Sequence, residues 1–447
     1  MSTNWEPFRS TDAEPWNIRR VVHLHRCAGF AATWNEIQRD LRDGPDAAVG
    51  RLLTGRARID GQRPGFEALS AQVADAGVLS GDPDRLKAWW LLRMLLGADP
   101  LGERLTLMWH NHFATSNFKV KDIAAMFRQN ETIRKLGRAR FGELLGAMLH
   151  DPALLVWLDA PSNRKDSPNE NLSRELMELF TLGVGNFTEA DVQQAARALT
   201  GLSAADGEFR YRPQWHDGAE KTILGKTGAF NADGLLQVLL ANPATPRRLA
   251  WRLCNTFLGE KVATDDDIAE LAAGLRERDL DIGWAVETVL RSTLFFSDAN
   301  IGAHVVGPAE FIIGAARALE VFAPPPSTLV LTEWMRRLGQ DLFYPPNVGG
   351  WSEGRAWLTT RGVLSRANYA AALVRGELSS SNSVPNLSAI AQRAGRGATP
   401  ADAVAFFNDL LLGGSVSADG LALIGRQAKS LPEAVARLLT TPEAQLA

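Results

Sequence analysis

Apolar side chains recur every three to four positions along most of this chain, which is the spacing of amphipathic α-helices. The segment 82–96 shows this pattern clearly, with Leu86, Trp89 and Leu92 on one wide apolar face. Thr188 and Asp191 form a capping-box pattern before another such segment. The pattern predicts helices over 34–41, 47–53, 82–96, 103–109, 123–137, 141–150, 192–200, 264–278, 281–294, 308–322, 327–338 and 360–376.

Strand-like segments are confined to one region. Residues 208–213 and 221–224 would pair as one small hairpin. Almost every other patterned segment is helical. The sequence therefore predicts an all-α fold, built as a single large multi-helix body with at most one small β-hairpin and a short helical C-terminal tail.

The character of the chain changes after position 375. Ser379 to Ser383, Pro385, Gly395 and Gly397 have the composition of a flexible connection. We therefore expect a main helical domain over 1–375, a flexible linker over 376–399, and a tail over 400–447 that packs on or near the main domain.

Composition and charge exclude several functional classes. The 447 residues carry 48 Lys and Arg against 51 Asp and Glu, a net charge of −3, which argues against a nucleic-acid binder. No apolar run reaches about 18 residues, so no membrane-spanning helix is expected. The first residues lack a secretory signal pattern, so the cytoplasm is the expected compartment. Two cysteines are too few for a four-thiolate zinc site.

His110 and His112 are the first candidates for chemistry. On a regular helix two such side chains point about 200° apart, but a helix that ends near Trp109 would let them converge. We expect a divalent transition metal to bind His110, His112, Glu175 and His216, although a lone histidine in a turn is typical of a surface residue. The alternative is that one histidine of the pair is buried and hydrogen-bonded and the other is exposed.

A second candidate is the carboxylate stripe on the predicted helix after position 170. Helical spacing places Asn171, Glu175 and Glu178 on one face, beside apolar positions. Buried carboxylates are costly unless they are paired, metal-bound or protonated. The stripe is either a catalytic centre or a structural network with arginines such as Arg174.

Two polar loops and one aromatic residue complete the candidate site. The loop after position 158 leads into the carboxylate helix, and the Pro- and Gly-rich loop over 344–357 would suit the lip of a ligand site. Packing or solvation of these loops is the alternative. The candidate residues are Asp159 and Arg174 for catalysis, and Trp109, Asn163, Asn169, Asn171, Asn347, Trp351 and Arg355 for substrate binding.

Several of these runs together resemble one bacterial family, the domain-of-unknown-function family numbered 1800. They are HLHRCAGF at 23–30, WHNHF at 109–113, WLD at 157–159, PNEN at 168–171, RELMELFTLG at 174–183 and PNVGGW at 346–351. The resemblance spans about residues 20–375. A second, family-like stretch ends the chain at 438–447. His25, Cys27 and Ala31 depart from the usual residues, which puts an essential role for His25 or Cys27 in doubt.

The resemblance implies a predominantly helical protein but carries over no settled activity. It also implies a partner, since members are often encoded beside a sulfatase- or phosphatase-like family of unknown function, numbered 1501, that often carries an export signal. By analogy, this chain would reach the periplasm by co-export with such a partner.

Two functional hypotheses follow. The first is a hydrolase of a glycan-like substrate, using either a metal-activated water or a carboxylate pair, with His110, His112, Glu175 and Glu178 at its centre. The 13 Trp residues are compatible with sugar stacking. The second is a non-catalytic partner or escort of the sulfatase- or phosphatase-like protein. Convergence of the histidines and Glu175 around an open cavity would favour the enzyme, and their dispersal would favour the partner.

Overall fold

The computed structural model describes residues 3–59, 65–322, 325–378, 384–396 and 400–447. Within these ranges the chain is mostly helical, which confirms the predicted all-α class. The helices are α1 (Ile18–Ala28), α2 (Trp34–Asp43), α3 (Pro45–Leu53), α4 (Phe66–Ser80), α5 (Pro83–Leu96), α6 (Pro100–His112), α7 (Asn117–Val120), α8 (Ile123–Leu136), α9 (Phe141–Leu149), α10 (Pro152–Trp157), α11 (Asn171–Glu175), α12 (Glu189–Ala198), α13 (Ala232–Ala241), α14 (Ala244–Phe257), α15 (Asp265–Glu277), α16 (Ile282–Arg291), α17 (Pro308–Ala318), α18 (Thr328–Arg337), α19 (Thr360–Arg375), α20 (Leu387–Arg393), α21 (Pro400–Leu412), α22 (Ala418–Gln427) and α23 (Leu431–Leu438).

The β-structure differs from the single hairpin expected. The strands β1 (Leu202–Ala205) and β2 (Glu208–Tyr211) pair antiparallel, and β3 (Lys221–Ile223) pairs separately with β4 (Lys226–Gly228). Each pair is closed by two residues of positive φ, Asp206-Gly207 and Leu224-Gly225. Such two-residue turns match the twist of adjacent strands, so local pairing prevails over the longer connection.

The central helix α6 is longer than its periodicity indicated. Asp99 caps its start by accepting a hydrogen bond from the backbone of Gly102, and Pro100 fits the first turn, where no backbone donor is needed. The helix continues through His112 rather than ending near Trp109. Its buried side chains contact α1, α3, α5 and α8, so α6 lies inside the body.

The carboxylate helix changes its winding midway. After α11, residues Leu176–Thr181 form a π-helix, in which the hydroxyl of Thr181 donates to the carbonyl of Leu176 at 2.7 Å. Single π-turns are rare and occur often at functional sites. The regular helical spacing used to place Glu175 and Glu178 on one stripe does not hold through this turn.

The C-terminal helices pack against the body. Helix α21 contacts α1 and α17, and α23 contacts α19. The segment predicted as a flexible linker contains α20, whose Leu387, Ile390 and Ala391 are buried. The local composition hid this helix because its apolar face meets α21 and α23 rather than a sequence neighbour. Residues 379–383 and 397–399 of the predicted linker lie outside the described residues. The division into domains stays a prediction.

No helix in the described ranges has both the length and the apolar character needed to cross a membrane.

Candidate functional site

A cavity of about 330 Å³ opens between α6 and the loop that follows α18. Its volume falls within the range of small-molecule sites. Trp357 forms an aromatic part of its wall. The polar lining consists of Arg104, Asn111, Asn255, Thr256, Glu260, Lys261, His304, Glu310, Gln340, Ser352 and Glu353.

Glu310, in the first turn of α17, is a buried carboxylate of this cavity. It forms an ion pair with Arg104, lies 3.1 Å from Nε2 of His304, and accepts a hydrogen bond of 2.8 Å from the backbone of Gly307. Burial alone would raise the pKa of Glu310, but the charge of Arg104, the contact with His304 and the hydrogen bond from Gly307 lower it to about 2. Glu310 is therefore ionised at neutral pH and orients His304.

The loop over 344–357 forms one wall of the cavity, and Asn111 of α6 holds it in place. Nδ2 of Asn111 donates to Glu353 at 2.6 Å, and its Oδ1 accepts from the backbone of Trp351 at 2.6 Å. Gly350 has a φ of +87°, and a Cβ there would overlap Oδ1 of Asn111. Only glycine fits this close approach of loop and helix.

A row of charged side chains leads from the cavity along α14 towards the π-helix. Nη1 of Arg252 lies 2.9 Å from Glu353, and one turn earlier Nε of Arg248 donates to the carbonyl of Leu179 at 3.3 Å. Burial lowers the pKa of Arg248, while the charges of Glu353 and Glu178 act in the opposite direction. Glu178 thus acts electrostatically on Arg248, one turn of α14 before Arg252.

The neighbouring Glu175 is half-buried. Burial, and next the charge of Glu178, raise its pKa. Arg174 does not form an ion pair with these two carboxylates; it contacts Glu170 at 3.0 Å and Glu189 at 2.7 Å. Arg174 therefore joins α11 to α12.

His110 lies in an aromatic part of the core and is fully buried. Its ring centroid is 5.3 Å from those of Trp90 and Phe343 and 5.5 Å from that of Trp351. Neither ring nitrogen makes a hydrogen bond within the described ranges. Burial lowers the pKa of His110 to about 3, so the ring is neutral at physiological pH.

His112 faces a different part of the core and supports the π-helix. Its Nε2 lies 3.1 Å from the carbonyl oxygen of Phe180, so Nε2 is the donor in this contact. Burial, followed by the charges of Arg252 and Arg248, lowers its pKa well below the ordinary range. Both histidines are buried, which differs from both alternatives drawn from the sequence.

Among the residues that the structure describes, no three His, Cys, Asp or Glu side chains lie close enough to hold one metal ion. The expected convergence of His110, His112, Glu175 and His216 is therefore not observed. The continuous helix separates the first two, and Nδ1 of His216 lies 3.0 Å from the carbonyl of Thr200.

The asparagines at the entry to α11 hydrogen-bond to one another, to Asp159 and to α12. Asn163 is buried, donates to the carbonyl of Ala196 and accepts from the backbone of Asn169. Asn169 accepts in turn from the backbone of Asn171 at 2.9 Å, and Asn171 donates to Asp159 at 3.1 Å. These residues shape the entry to α11. Asp159 also contacts Lys119 at 2.7 Å.

The other predicted binding residues differ in exposure. Trp109 is fully buried and donates to the carbonyl of Gly137, so the expectation that it meets a ligand is corrected by its packing. Trp351 is a buried residue of the loop over 344–357, and Asn347 accepts from the backbone of Gly349 within the same loop. Arg355 is 84% exposed, and its Nε lies 3.4 Å from Glu260 at the cavity rim.

Sequence reasoning did not select the residues that line the cavity. Asn111 lies inside the WHNHF run and Glu353 follows PNVGGW, so the motifs were a signal that could have identified both residues. Arg104, His304 and Glu310 carry no local signal, because they meet only when the first turn of α17 and the segment before it approach α6.

The structure defines a predominantly helical protein in which Asn111 of the WHNHF run and the loop that follows PNVGGW meet at a polar cavity. A family model described as a protein of unknown function (DUF1800) matches residues 23–446, so the chain belongs to that family and the resemblance is confirmed. Neither the curated proteins nor the solved structures gave a match.

Proposed function

We propose that this protein is a hydrolase of a glycan-like substrate that binds in the cavity beside Asn111. His304 acts as the general base towards water, and Glu310 holds its ring. The observation that carries the proposal is the contact of the buried Glu310 with both His304 and Arg104 at the wall of an open cavity. This centre replaces the one expected from His110 and Glu175.

The contact geometry supports the assignment of His304. Because a carboxylate only accepts hydrogen bonds, Nε2 carries the proton in the contact with Glu310, and Nδ1 is the nitrogen that would serve as the base in the neutral ring. A base oriented by a third group is the arrangement that recurs in nucleophilic and hydrolytic sites. Nδ1 would take a proton from water and later return it to the leaving group.

The lining supports a polar substrate with several hydroxyl groups. The amides of Asn111, Asn255 and Gln340 present donors and acceptors, and Trp357 offers an aromatic surface. Amide side chains bind hydroxyls in either direction, and an aromatic ring can pack against the apolar face of a sugar.

Hydrolysis of a substrate panel tests this proposal. The purified protein is assayed with neutral, N-acetylated and acidic 4-nitrophenyl glycosides and with acetylated sugars. We expect release of product from at least one class. His304→Gln should lower kcat by about 100-fold or more, because general base catalysis contributes about that much.

The matched control is His150→Gln, since His150 is an exposed histidine outside the cavity, where it contacts the carbonyl of Gly146 and the ring of Phe209. Glu310→Gln should reduce kcat and alter its pH profile. A folded His304→Gln protein with unchanged kcat would rule out the assigned base, and no turnover of any substrate would count against the hydrolase.

The second candidate is a non-catalytic partner of a sulfatase- or phosphatase-like protein. The dispersal of His110 and His112 favours it, as do three exposed apolar residues that follow the cavity residue Trp357 in the chain, Leu358, Val363 and Leu364, which we take together as one apolar strip. Exposed apolar patches on a surface often mark contacts with other proteins.

Co-expression with the product of the neighbouring gene tests this candidate. Leu364→Glu should abolish co-purification if the strip is the interface. Leu423→Glu, at a residue of similar exposure on α22, is the control. Equal recovery of the partner with both variants would exclude this strip.

A further inference from the structure

The charges around the cavity are paired with one exception. Glu310 pairs with Arg104, Glu353 lies 2.9 Å from Arg252, and Glu260 lies 3.4 Å from Arg355. Each carboxylate on the wall is thus matched by one guanidinium group. A charged side chain of the lining that has no ion-pair partner therefore contributes most to the electrostatic field that a ligand meets.

The unmatched charge belongs to Lys261. Its side chain lines the cavity and is exposed, and no carboxylate of the described residues lies within ion-pair distance. The other basic residue of the lining, Arg104, is buried, and its guanidinium also donates to backbone carbonyls of Cys27 and Thr256. Lys261 is therefore the cation that remains available to a ligand.

The backbone holds Lys261 in an unusual conformation. Its φ is +63°, in the left-handed region that non-glycine residues rarely adopt. The preceding Gly259 donates to Oδ1 of Asn300 at 2.9 Å, and a Cβ on Gly259 would overlap Ala303. The turn is thus fixed against the body, and strain of this kind clusters at binding and catalytic sites.

From this charge balance we infer that the cavity takes an acidic sugar, whose anionic group is bound by Lys261. The inference rests on the proposed function and specifies its substrate class. The ammonium group of a lysine is a compact point charge, so it can bind a carboxylate, a sulfate or a phosphate group. The shared requirement is one negative charge on a polyhydroxylated ring, with the hydroxyls contacting the amides.

Matched monosaccharides separate the charge from the ring. Binding of glucose, glucuronate, glucose 6-sulfate and glucose 6-phosphate is measured by isothermal titration calorimetry and saturation-transfer NMR. We expect at least one anionic sugar to bind about tenfold more tightly than glucose, as for a hydrogen bond to a charged group. Comparison of the affinity for glucuronate with the affinities for glucose 6-sulfate and glucose 6-phosphate identifies which anionic group the cavity binds.

Variants assign the effect to its residue. Lys261→Met should reduce the preference for the anionic sugar to less than about twofold, while Lys261→Arg retains most of it. Lys226→Met removes an exposed lysine of β4, outside the cavity, and should change nothing. High salt should weaken the binding of the anionic sugar and leave the binding of glucose unchanged.

The possible failures are distinguishable. Equal binding of glucose and the anionic sugars, or an unchanged preference in Lys261→Met, would overturn the acidic-sugar inference and leave the proposed hydrolase intact. Failure of every sugar to bind would overturn both.

Discussion

The side-chain amide of Asn111 donates a hydrogen bond of 2.6 Å to the carboxylate of Glu353. This contact joins the WHNHF run to the loop that follows the PNVGGW run, across 242 positions of the chain. Asn111 stands between two histidines that are both buried in the core. The residue of this motif that reaches the cavity is therefore the asparagine.

Asn111→Ala should loosen the loop over 344–357. The backbone N–H of Trp351 loses its acceptor, and Glu353 retains only Arg252 among the contacts described above. An unmade hydrogen bond in a partly buried place costs about 1–3 kcal/mol. Hydrogen exchange measured by mass spectrometry should show faster exchange in peptides that contain Trp351.

Asn231→Ala is the control for Asn111. Asn231 caps α13 by accepting from the backbone of Gly234, so its loss should cost about 1 kcal/mol. Exchange in the loop should stay unchanged in this variant. Equal loop protection in Asn111→Ala and the native protein would show that Asn111 does not hold the loop.

Gly350→Ala should destabilise the protein strongly. The new Cβ would overlap Oδ1 of Asn111, and the residue would have to keep a φ of +87°. We expect a loss of about 2 kcal/mol or more in the free energy of unfolding, from backbone strain and overpacking. Urea denaturation measures it.

Gly425→Ala provides the matched comparison on α22. A Cβ there meets nothing within 4 Å, and alanine is the better helix former, so this variant should gain up to about 1 kcal/mol. Similar changes in both variants would contradict the close contact assigned to Gly350.

His110→Leu and His112→Leu should have different effects on the free energy of unfolding. His110 has no hydrogen-bond partner within the described ranges, so leucine should leave the free energy of unfolding at pH 7 unchanged or raise it. His112→Leu removes the donor to Phe180 and should cost about 1–3 kcal/mol. Parallel urea titrations decide between these outcomes.

The pH dependence gives a second test of His110. The pKa of the folded state is about 3, against an ordinary value of 6.5, so the unfolded chain binds the proton more strongly. The stability of the native protein should therefore fall below about pH 6.5, and the advantage of His110→Leu should grow towards pH 5. A constant difference between pH 7 and pH 5 would contradict a buried neutral ring.

Asp151 should have the opposite effect on stability. Burial raises its pKa to about 6, although Leu154 and Gln129 hydrogen-bond to its carboxylate. The folded state then binds a proton between about pH 6 and pH 4, where the unfolded chain does not. Stability from this group rises as the pH falls through that window, by up to about 3 kcal/mol.

Asp151→Asn isolates this contribution. The difference in unfolding free energy between the native protein and the variant should shift in favour of the native protein from pH 7 to pH 4. Thermal or urea unfolding across this range measures the difference. A difference that is independent of pH would show that Asp151 titrates normally.

Local signals in the sequence were sufficient for much of the helical framework. Thr188 with Asp191 and Thr264 with Asp267 form capping boxes at the starts of α12 and α15. The amphipathic segment 82–96 corresponds to α5 within one residue. Caps and apolar periodicity depend only on neighbours a few positions away, so the sequence carries them directly.

The tertiary structure decided which polar residues meet. Helix α6 packs against α5, α8 and the loop over 344–357, and this packing decides which face of the helix turns towards the core. As a result both histidines of the WHNHF run are buried, and Asn111 lies at the cavity. Arg104, His304 and Glu310 come together only when α6 and α17 approach. The sequence determined where helices form, because helix formation is local. The charge of Glu310, the neutrality of His110 and the unmatched Lys261 were decided by packing, because burial and ion pairing join residues far apart in the chain.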